Sequence, residues 1–255
     1  MNTIKLFTTF LFIVITSEVY SQGYYEHEFG INAGFYQLRS DYGESLDNET
    51  NFGNQGVSIG FSYFLNKASS RDANYFFEHF KTRVDFMFAS VNLEHYGGAA
   101  DDPRLEAMTG TFNNIGLGIG FDYLPFGIKI QEYTLNKSFI DNLSPYVGFS
   151  IGFNFVSPDA ESSLDGGLSN PANIFPTFIP QDEDNGINLD GRTVLSLNLR
   201  LGLRFDIGTR DGFSVESNWM LFGSDLVDGL SPVGSQNKYN DWSWGINIGY
   251  SRLLF

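Results

Sequence analysis

Large apolar side chains alternate with small or polar ones in eight stretches of this sequence. Such a two-residue period is the pattern of a β-strand that has one apolar face. In the fourth stretch, for example, Ile115, Leu117 and Ile119 alternate with glycines. The eight predicted strands are residues 29–35, 57–65, 83–88, 115–123, 147–155, 195–205, 213–221 and 242–250. Several reach the roughly 9 to 11 residues that a tilted strand needs to cross a bilayer.

The composition of the second face indicates which side of the sheet is outside. That face carries mostly Gly, Ser and Asn, with a few charges of both signs. The exterior of a soluble lipocalin-type barrel, the alternative, would carry long polar side chains, whereas small residues suit the crowded interior of a narrow barrel. Trp242 and Trp244 near one end of the last strand and Tyr250 near the other fit two aromatic girdles. We therefore predict an all-β fold, a transmembrane antiparallel up-and-down β-barrel whose large side chains face lipid.

The connections fall into two sets. The segments predicted as outward loops are 39–55, 94–111, 157–192 and 223–241, and those predicted as inner turns are 66–80, 125–144 and 207–212. Bacterial barrels have long outward loops and short periplasmic turns, and the first two inner turns here are longer than that. Because residues 71–80 and 128–140 could hold a short helix or strand extensions, ten strands are the alternative to eight.

The start of the chain has the features of an export signal. Lys5 precedes a mostly apolar run from Leu6 to Ile15, and small or tolerated residues stand before Gln22. The run is too short for a membrane-spanning helix, which needs about 20 residues. We predict a cleaved signal peptide at 1–21, a barrel domain at 22–255 and delivery to the bacterial outer membrane.

Composition and motifs exclude several function classes. The chain has no cysteine, which excludes disulfides, thiolate metal sites and cysteine nucleophiles. Its formal charge of −15 makes nucleic acid a poor partner. Phosphate-binding loops, zinc spacings and nucleophile elbows are missing from the sequence. We predict no cofactor, no metal ion and no catalytic residue.

Eight short stretches, spread over nearly all of residues 22–255, carry a resemblance to a known family. They are Ser40–Glu44, His79–Arg83, Leu93–His95, Leu105–Gly110, Tyr123–Pro125, Ser144–Tyr146, Val227–Leu230 and Asn237–Trp242. With them the chain resembles a family of small outer-membrane β-barrel proteins from Bacteroidetes, especially flavobacteria. Glu106 departs from the family pattern, which more often has Arg at that position. The resemblance implies the fold and the compartment but brings no activity, substrate or catalytic residue.

Charged residues on the small-residue face are the first candidate site. They are Arg83, Asp85, Asp122, Arg200, Arg204 and Glu216. Isolated charges in a narrow lumen would be costly, so we expect these six to pair with one another. An ion-paired plug that fixes strand register is favoured over a gated ion path, because eight strands leave an interior that side chains fill.

The three histidines are the candidates for catalysis. Barrel enzymes that modify lipids need a histidine beside a serine nucleophile or an aspartate. His95 lies at the outer rim with Asp101 and Asp102 nearby, but Gly97 stands where a deacylase pattern would have serine. His27 and His79 fall on the inner side. We expect His95 to be a solvated or hydrogen-bonded loop residue.

The third outward loop combines acidity with an apolar segment. Residues 157–192 contain seven acids and one base, and the run Asp182–Gly186 hints at a divalent cation without matching the EF-hand spacing. We favour a solvated acidic loop. The apolar piece Ile174–Pro180 should fold back on the barrel or touch a partner, and folding back is slightly favoured.

These observations favour a non-enzymatic barrel that serves as a structural element, a surface protein or an accessory subunit of an envelope complex. Its partners would be outer-membrane lipid and an envelope protein bound through the outer loops or inner turns. The alternatives are a narrow channel or carrier for a small or hydrophobic solute, and a lipid-modifying enzyme that uses His95.

Overall fold

The computed structural model describes most of the predicted barrel domain. The described residues are 26–42, 53–67, 74–96, 101–128, 142–179, 186–207, 210–232 and 240–254. The predicted signal peptide lies outside them. Within these residues no helix is both long enough and apolar enough to cross a bilayer.

Eight antiparallel strands form a closed barrel. The strands of the chain are β1 (Glu26–Arg39), β2 (Gln55–Asn66), β3 (Phe80–Glu94), β4 (Met108–Tyr123), β5 (Leu143–Ser162), β6 (Gly186–Ile187), β7 (Arg192–Ile207), β8 (Asp211–Phe222), β9 (Leu230–Ser231) and β10 (Trp242–Leu253). Around the barrel the order is β1, β10, β8, β7, β5, β4, β3, β2, and β2 pairs with β1 to close it. The two-residue strands β6 and β9 pair only with each other. The eight-stranded prediction is confirmed, and the ten-stranded alternative is not.

The barrel has two distinct ends. We call the end where β1 begins and β10 finishes the terminal end, and the opposite one the loop end. A helix, α1 (Tyr75–His79), occupies the first long inner turn, which is one of the two structures expected there. A shorter helix, α2 (Pro103–Glu106), lies in the second outward loop. Nearly all of segment 128–140 lies outside the described residues.

Several strands run further toward the loop end than predicted. β5 spans 20 residues and continues to Ser162, so the third outward loop begins later than residue 157. The outward residues of this extension, among them Ser157, Asp159 and Glu161, are polar. The apolar alternation therefore stops while the backbone pairing with β4 continues, which explains why the pattern gave strands that were too short.

Large apolar side chains cover the outside of the barrel, as the alternation predicts. Val57, Ile119 and Ile248 are the most exposed of the outward strand residues, with 60 to 65% of their surface exposed. Ser217, a polar residue in the outward row of β8, accepts a hydrogen bond of 2.9 Å from Nε1 of Trp244 on the neighbouring strand β10.

The interior differs between the two ends. From the terminal end to the middle it is lined by Gly, Ser, Asn and charged residues, as predicted. Toward the loop end large apolar side chains predominate, with Leu38, Leu93, Phe112, Val227 and Leu230 fully buried. The prediction of small and polar residues throughout is therefore wrong for this half, which we call the loop-end core. Inward positions there carry large apolar side chains that pack against the returning loops.

Candidate functional site

Five of the six predicted interior charges lie together in the middle of the barrel. We call Arg83, Asp85, Asp122, Arg200 and Glu216 the central ionic cluster. They come from β3, β4, β7 and β8, and the strand alternation turns each of them inward. Their side chains are at most 19% exposed, so water screens these charges only weakly.

Arg83 is the hub of this cluster. Its Nη1 donates to Oε2 of Glu216 at 2.5 Å, and its Nε donates to Oδ1 of Asp85 at 2.7 Å. The same Nη1 lies 3.4 Å from Oδ2 of Asp122. Because β3 and β8 are four places apart in a ring of eight strands, the contact with Glu216 crosses the whole lumen.

Arg200 completes the ion pairing from a third wall of the barrel. Its Nη1 donates to Oδ2 of Asp85 at 3.0 Å, and its Nη2 donates to Oδ1 of Asp122 at 3.1 Å. Each aspartate therefore bridges two guanidinium groups. The Tyr146 hydroxyl adds a donor to Oε2 of Glu216 at 2.9 Å. Two arginines and three carboxylates leave the cluster with a formal charge of −1.

Glycines on the neighbouring, hydrogen-bonded strands make room for these long side chains. A Cβ atom at Gly148 would lie 2.3 Å from Oδ1 of Asp122 and 2.6 Å from Nε of Arg200. A Cβ atom at Gly202 would lie 2.2 Å from Cζ of Tyr146. At these two positions glycine is required by the close approach of a neighbouring side chain.

Arg204 belongs to a separate group near the terminal end, contrary to the expectation that all six charges pair with one another. Its Nη1 is paired with Oε1 of Glu28, and its Nε lies 2.6 Å from Oδ1 of Asp206. Lys81 contacts the other oxygen of Glu28 at 2.9 Å. The predicted set of interior charges lacks Glu28, Lys81 and Asp206. Each of them is the next inward position beyond a predicted strand, two residues closer to the terminal end than the last inward residue of that strand.

Two cavities lie in the lumen, one on each side of the central ionic cluster. The cavity toward the terminal end is lined by Phe64, Lys81 and Arg204, and the other by Met87 and Asn198. Both are also lined by Arg83 and Glu216, so the salt bridge between these two residues borders both cavities.

His95 is buried, so of the two expected environments, solvated or hydrogen-bonded, the structure contradicts the solvated one. It packs against the ring of Tyr42 at a centroid distance of 4.9 Å and against that of Phe178 at 6.3 Å. Burial lowers the pKa of His95 to about 4, so the imidazole is neutral at pH 7. Asp102 points elsewhere, since it caps α2 and its Oδ2 lies 2.7 Å from Nη2 of Arg104.

The other two histidines sit near the terminal end. Nδ1 of His27 lies 2.6 Å from the hydroxyl of Tyr63. The ring of His79 stacks on that of Tyr75 at 4.0 Å. The three histidines therefore do not form one site.

Carboxylates gather at the loop end, where β1 and β8 finish and β10 begins. Oxygens of Asp41, Asp225 and Asp241 lie within 4.8 Å of one another. Asp228 stands beside them and accepts from the backbone N of Asp41 at 3.0 Å. Burial and the neighbouring carboxylates raise the pKa of Asp41 to about 9, and burial raises that of Asp228 to about 7. Three such oxygens could bind a hard cation. Carboxyl groups that share protons fit the same geometry, so we assign no metal to it.

The apolar piece of the third outward loop folds back on the barrel, as favoured above. Phe178 is buried in the loop-end core, and Ile174 and Phe175 pack against that core. Loops three and four are also joined by the β6–β9 pair. The acidic run 182–184 lies outside the described residues.

Comparison with known proteins gives likeness of shape only. No family model and no curated protein matches the chain. Among solved structures, the chain is similar to Neisserial surface protein A, with 12% identity and a TM-score of 0.44 over 89% of this chain and 97% of that one. It is also similar to the outer membrane protein OprG from Pseudomonas aeruginosa, with 14% identity and a TM-score of 0.43 over 91% and 98%. A third is the outer membrane enzyme PagL, with 9% identity and a TM-score of 0.40 over 87% and 97%. Evidence for function has to come from this chain's own residues.

Proposed function

We propose that this chain is an integral protein of the bacterial outer membrane whose lumen is closed by the central ionic cluster and which performs no chemistry. It would be exported with residues 1–21 as a cleaved signal and would belong to the Bacteroidetes family that it resembles. Its role would be structural, at the cell surface or within an envelope complex.

The observation that carries the proposal is the apolar outer surface around a charged interior. Outward residues such as Ile31, Phe153 and Leu201 have about half of their surface exposed. In water this surface would be very costly, whereas in a bilayer it meets hydrocarbon. With the backbone paired all round the barrel, no open sheet edge would meet lipid.

The closed lumen supports a structural role over conduction. An ion passing through the lumen would have to break the contact between Arg83 and Glu216, which spans the lumen. It would also have to pass through the loop-end core. Separating buried ionic partners is costly because each is left without its counter-charge.

The burial of His95 supports a role without catalysis. His95 is only 8% exposed and its ring packs against those of Tyr42 and Phe178, so a lipid at the barrel surface has little access to it. Lipid A and phospholipid profiles should be unchanged in cells that carry His95→Ala. A change in acyl chain number would contradict this part of the proposal.

Folding and conductance test the main claim. The chain from Gln22 onward should fold only with detergent or lipid, and in planar bilayers it should give no ion-conducting steps. Folding in plain buffer would overturn the membrane assignment. Steps that change size in Glu216→Gln would overturn the closed lumen and favour the narrow-channel alternative.

A surface or accessory role predicts a protein partner. Cross-linking in intact cells followed by purification in mild detergent should recover one envelope protein in a constant ratio to the barrel. A variant lacking β6 and β9 should lose it if the outer loops are the contact. A barrel recovered alone in both cases would contradict the accessory role.

A further inference from the structure

Aromatic side chains gather outside the barrel at the terminal end, where α1 lies against β3 and β4. Phe76 stacks on Phe80 with a centroid distance of 4.7 Å and an interplanar angle of 12°, and it meets Phe121 edge-on at 5.8 Å. The hydroxyls of Tyr75 and Tyr123 are 3.0 Å apart. Phe121 is part of the apolar outer surface. The aromatic group therefore continues that surface beyond the ends of the strands.

Backbone hydrogen bonds join α1 to the turn that follows β4. The carbonyl of Glu78 accepts from the N of Ile128 at 2.6 Å, and that of His79 accepts from the N of Leu124 at 2.7 Å. The turn between these two bonds carries Phe126, which is 76% exposed. We call Tyr75, Phe76, Tyr123 and Phe126 the terminal-end aromatic patch.

This patch has the chemistry of a membrane interface. An apolar ring with a hydroxyl, as in Tyr75 and Tyr123, is the kind of side chain that collects at headgroup depth. The helix also has a polar side, where Glu78 is exposed and Nζ of Lys67 lies 5.2 Å from the ring centroid of Phe77. A short amphipathic element of this kind, held against a lipid-facing wall, lies in the interface plane.

We propose that the terminal-end aromatic patch rests in the headgroup region of the membrane leaflet on the terminal side and has phospholipid as its partner. The inference rests on the membrane insertion proposed above. Lipid is favoured over a protein partner because the patch is continuous with the outer wall of the barrel: Phe76 contacts Phe80 and Phe121, and Phe121 is exposed on that wall.

The absence of cysteine makes a direct test clean, because one introduced cysteine gives one labelled site. Nitroxide labels would be placed in separate variants, Ile119→Cys, Phe126→Cys, Phe76→Cys and Arg210→Cys. Ile119 is an outward residue of β4, and Arg210 is an exposed residue of another turn at the same end. The barrels would be reconstituted in phosphatidylcholine vesicles without other protein. Power-saturation EPR would then compare collisions with oxygen, which enriches in lipid, and with a water-soluble nickel chelate.

The oxygen-to-nickel ratio should be highest at 119 and lowest at 210. Labels at 76 and 126 should both lie between them, several-fold above 210. If either of these labels matches 210 while 119 favours oxygen, the barrel is in the membrane but the patch is in water, and the inference is overturned in favour of a protein partner. If 119 itself favours nickel in folded protein, the proposed membrane insertion fails as well.

Discussion

Arg83 should be the interior side chain whose loss costs the barrel most, because it contacts all three carboxylates of the central ionic cluster. Arg83→Met leaves Arg200 as the only guanidinium beside three carboxylates, which changes the formal charge of the cluster from −1 to −2. The Arg83 side chain is only 7% exposed, so solvent offers little compensation. Removing one partner of a buried ion pair costs about 3–5 kcal/mol, and we expect this loss in the free energy of unfolding.

Glu216 is the matched comparison, because its removal relieves charge instead of adding to it. In Glu216→Gln, Arg83 keeps Asp85 at 2.7 Å, two guanidiniums face two carboxylates, and the expected cost is about 1–3 kcal/mol. Combining Arg83→Met with Glu216→Gln restores the formal charge of −1. The double variant should therefore be more stable than the sum of the single losses predicts, by about 1 kcal/mol or more.

Urea unfolding in lipid vesicles, followed by the fluorescence of the three tryptophans, would measure these values. Arg252→Met is the control, since that side chain is 57% exposed outside the barrel and lies 3.6 Å from Asp211. It should cost about 0–1 kcal/mol. The reasoning is refuted if Arg83→Met and Arg252→Met agree to within about 0.5 kcal/mol, or if the Arg83 and Glu216 losses simply add.

Three further predictions address packing, pH and processing. Gly202→Ala should lower the free energy of unfolding by about 1–3 kcal/mol, because its Cβ would lie 2.2 Å from Tyr146. Gly118→Ala, whose Cβ would lie 3.6 Å from its nearest neighbour, should be tolerated. Equal urea midpoints for the two variants would contradict this. The pKa of Asp41 is raised from 3.8 to about 9, so its folded carboxyl keeps a proton that the unfolded one loses, and the loop end loses stability as pH rises through that range. In limited proteolysis of vesicle-bound protein, Asp41→Asn should therefore be more resistant than the wild type at pH 8 and equal to it at pH 4. An equal advantage at both pH values would contradict the raised pKa of Asp41. N-terminal sequencing of the protein from outer membranes should begin at Gln22, and an intact Met1 would exclude cleavage.

The barrel could be predicted from the sequence because every second side chain of a strand points to the same face of the sheet. Once Ile115, Leu117 and Ile119 are assigned to one face, every glycine between them must lie on the other, and this logic carries through all eight strands. The same parity turned the residues of the central ionic cluster inward. The sequence could not show which charged side chains contact one another, because those contacts depend on how far each strand is shifted along the barrel relative to its neighbours. Arg204 projects to the same side as Arg200, yet it lies nearer the terminal end and pairs with Glu28.

The loop-end core could not be predicted, because it is made by contacts between segments far apart in sequence. Alternation identifies Leu93 and Phe112 as inward residues but does not show that Val227 and Phe178 return from the loops to cover them. The burial of His95 follows from the same packing. A residue at the rim is solvated only when no other segment covers it, and here Tyr42 and the third outward loop cover His95.

The contact across the lumen also constrains the order in which the barrel is assembled. Arg83 and Glu216 are 133 positions apart in the chain and sit on opposite walls, so a partly inserted sheet holds the arginine without its main counter-ion. Asp85, two residues away, is the only carboxylate of the cluster on the same strand. Until β8 joins the sheet, Arg83 has Asp85 and Asp122 as counter-ions but lacks Glu216. The contact across the lumen therefore forms late in assembly, and it stabilises the complete barrel over a partly formed one.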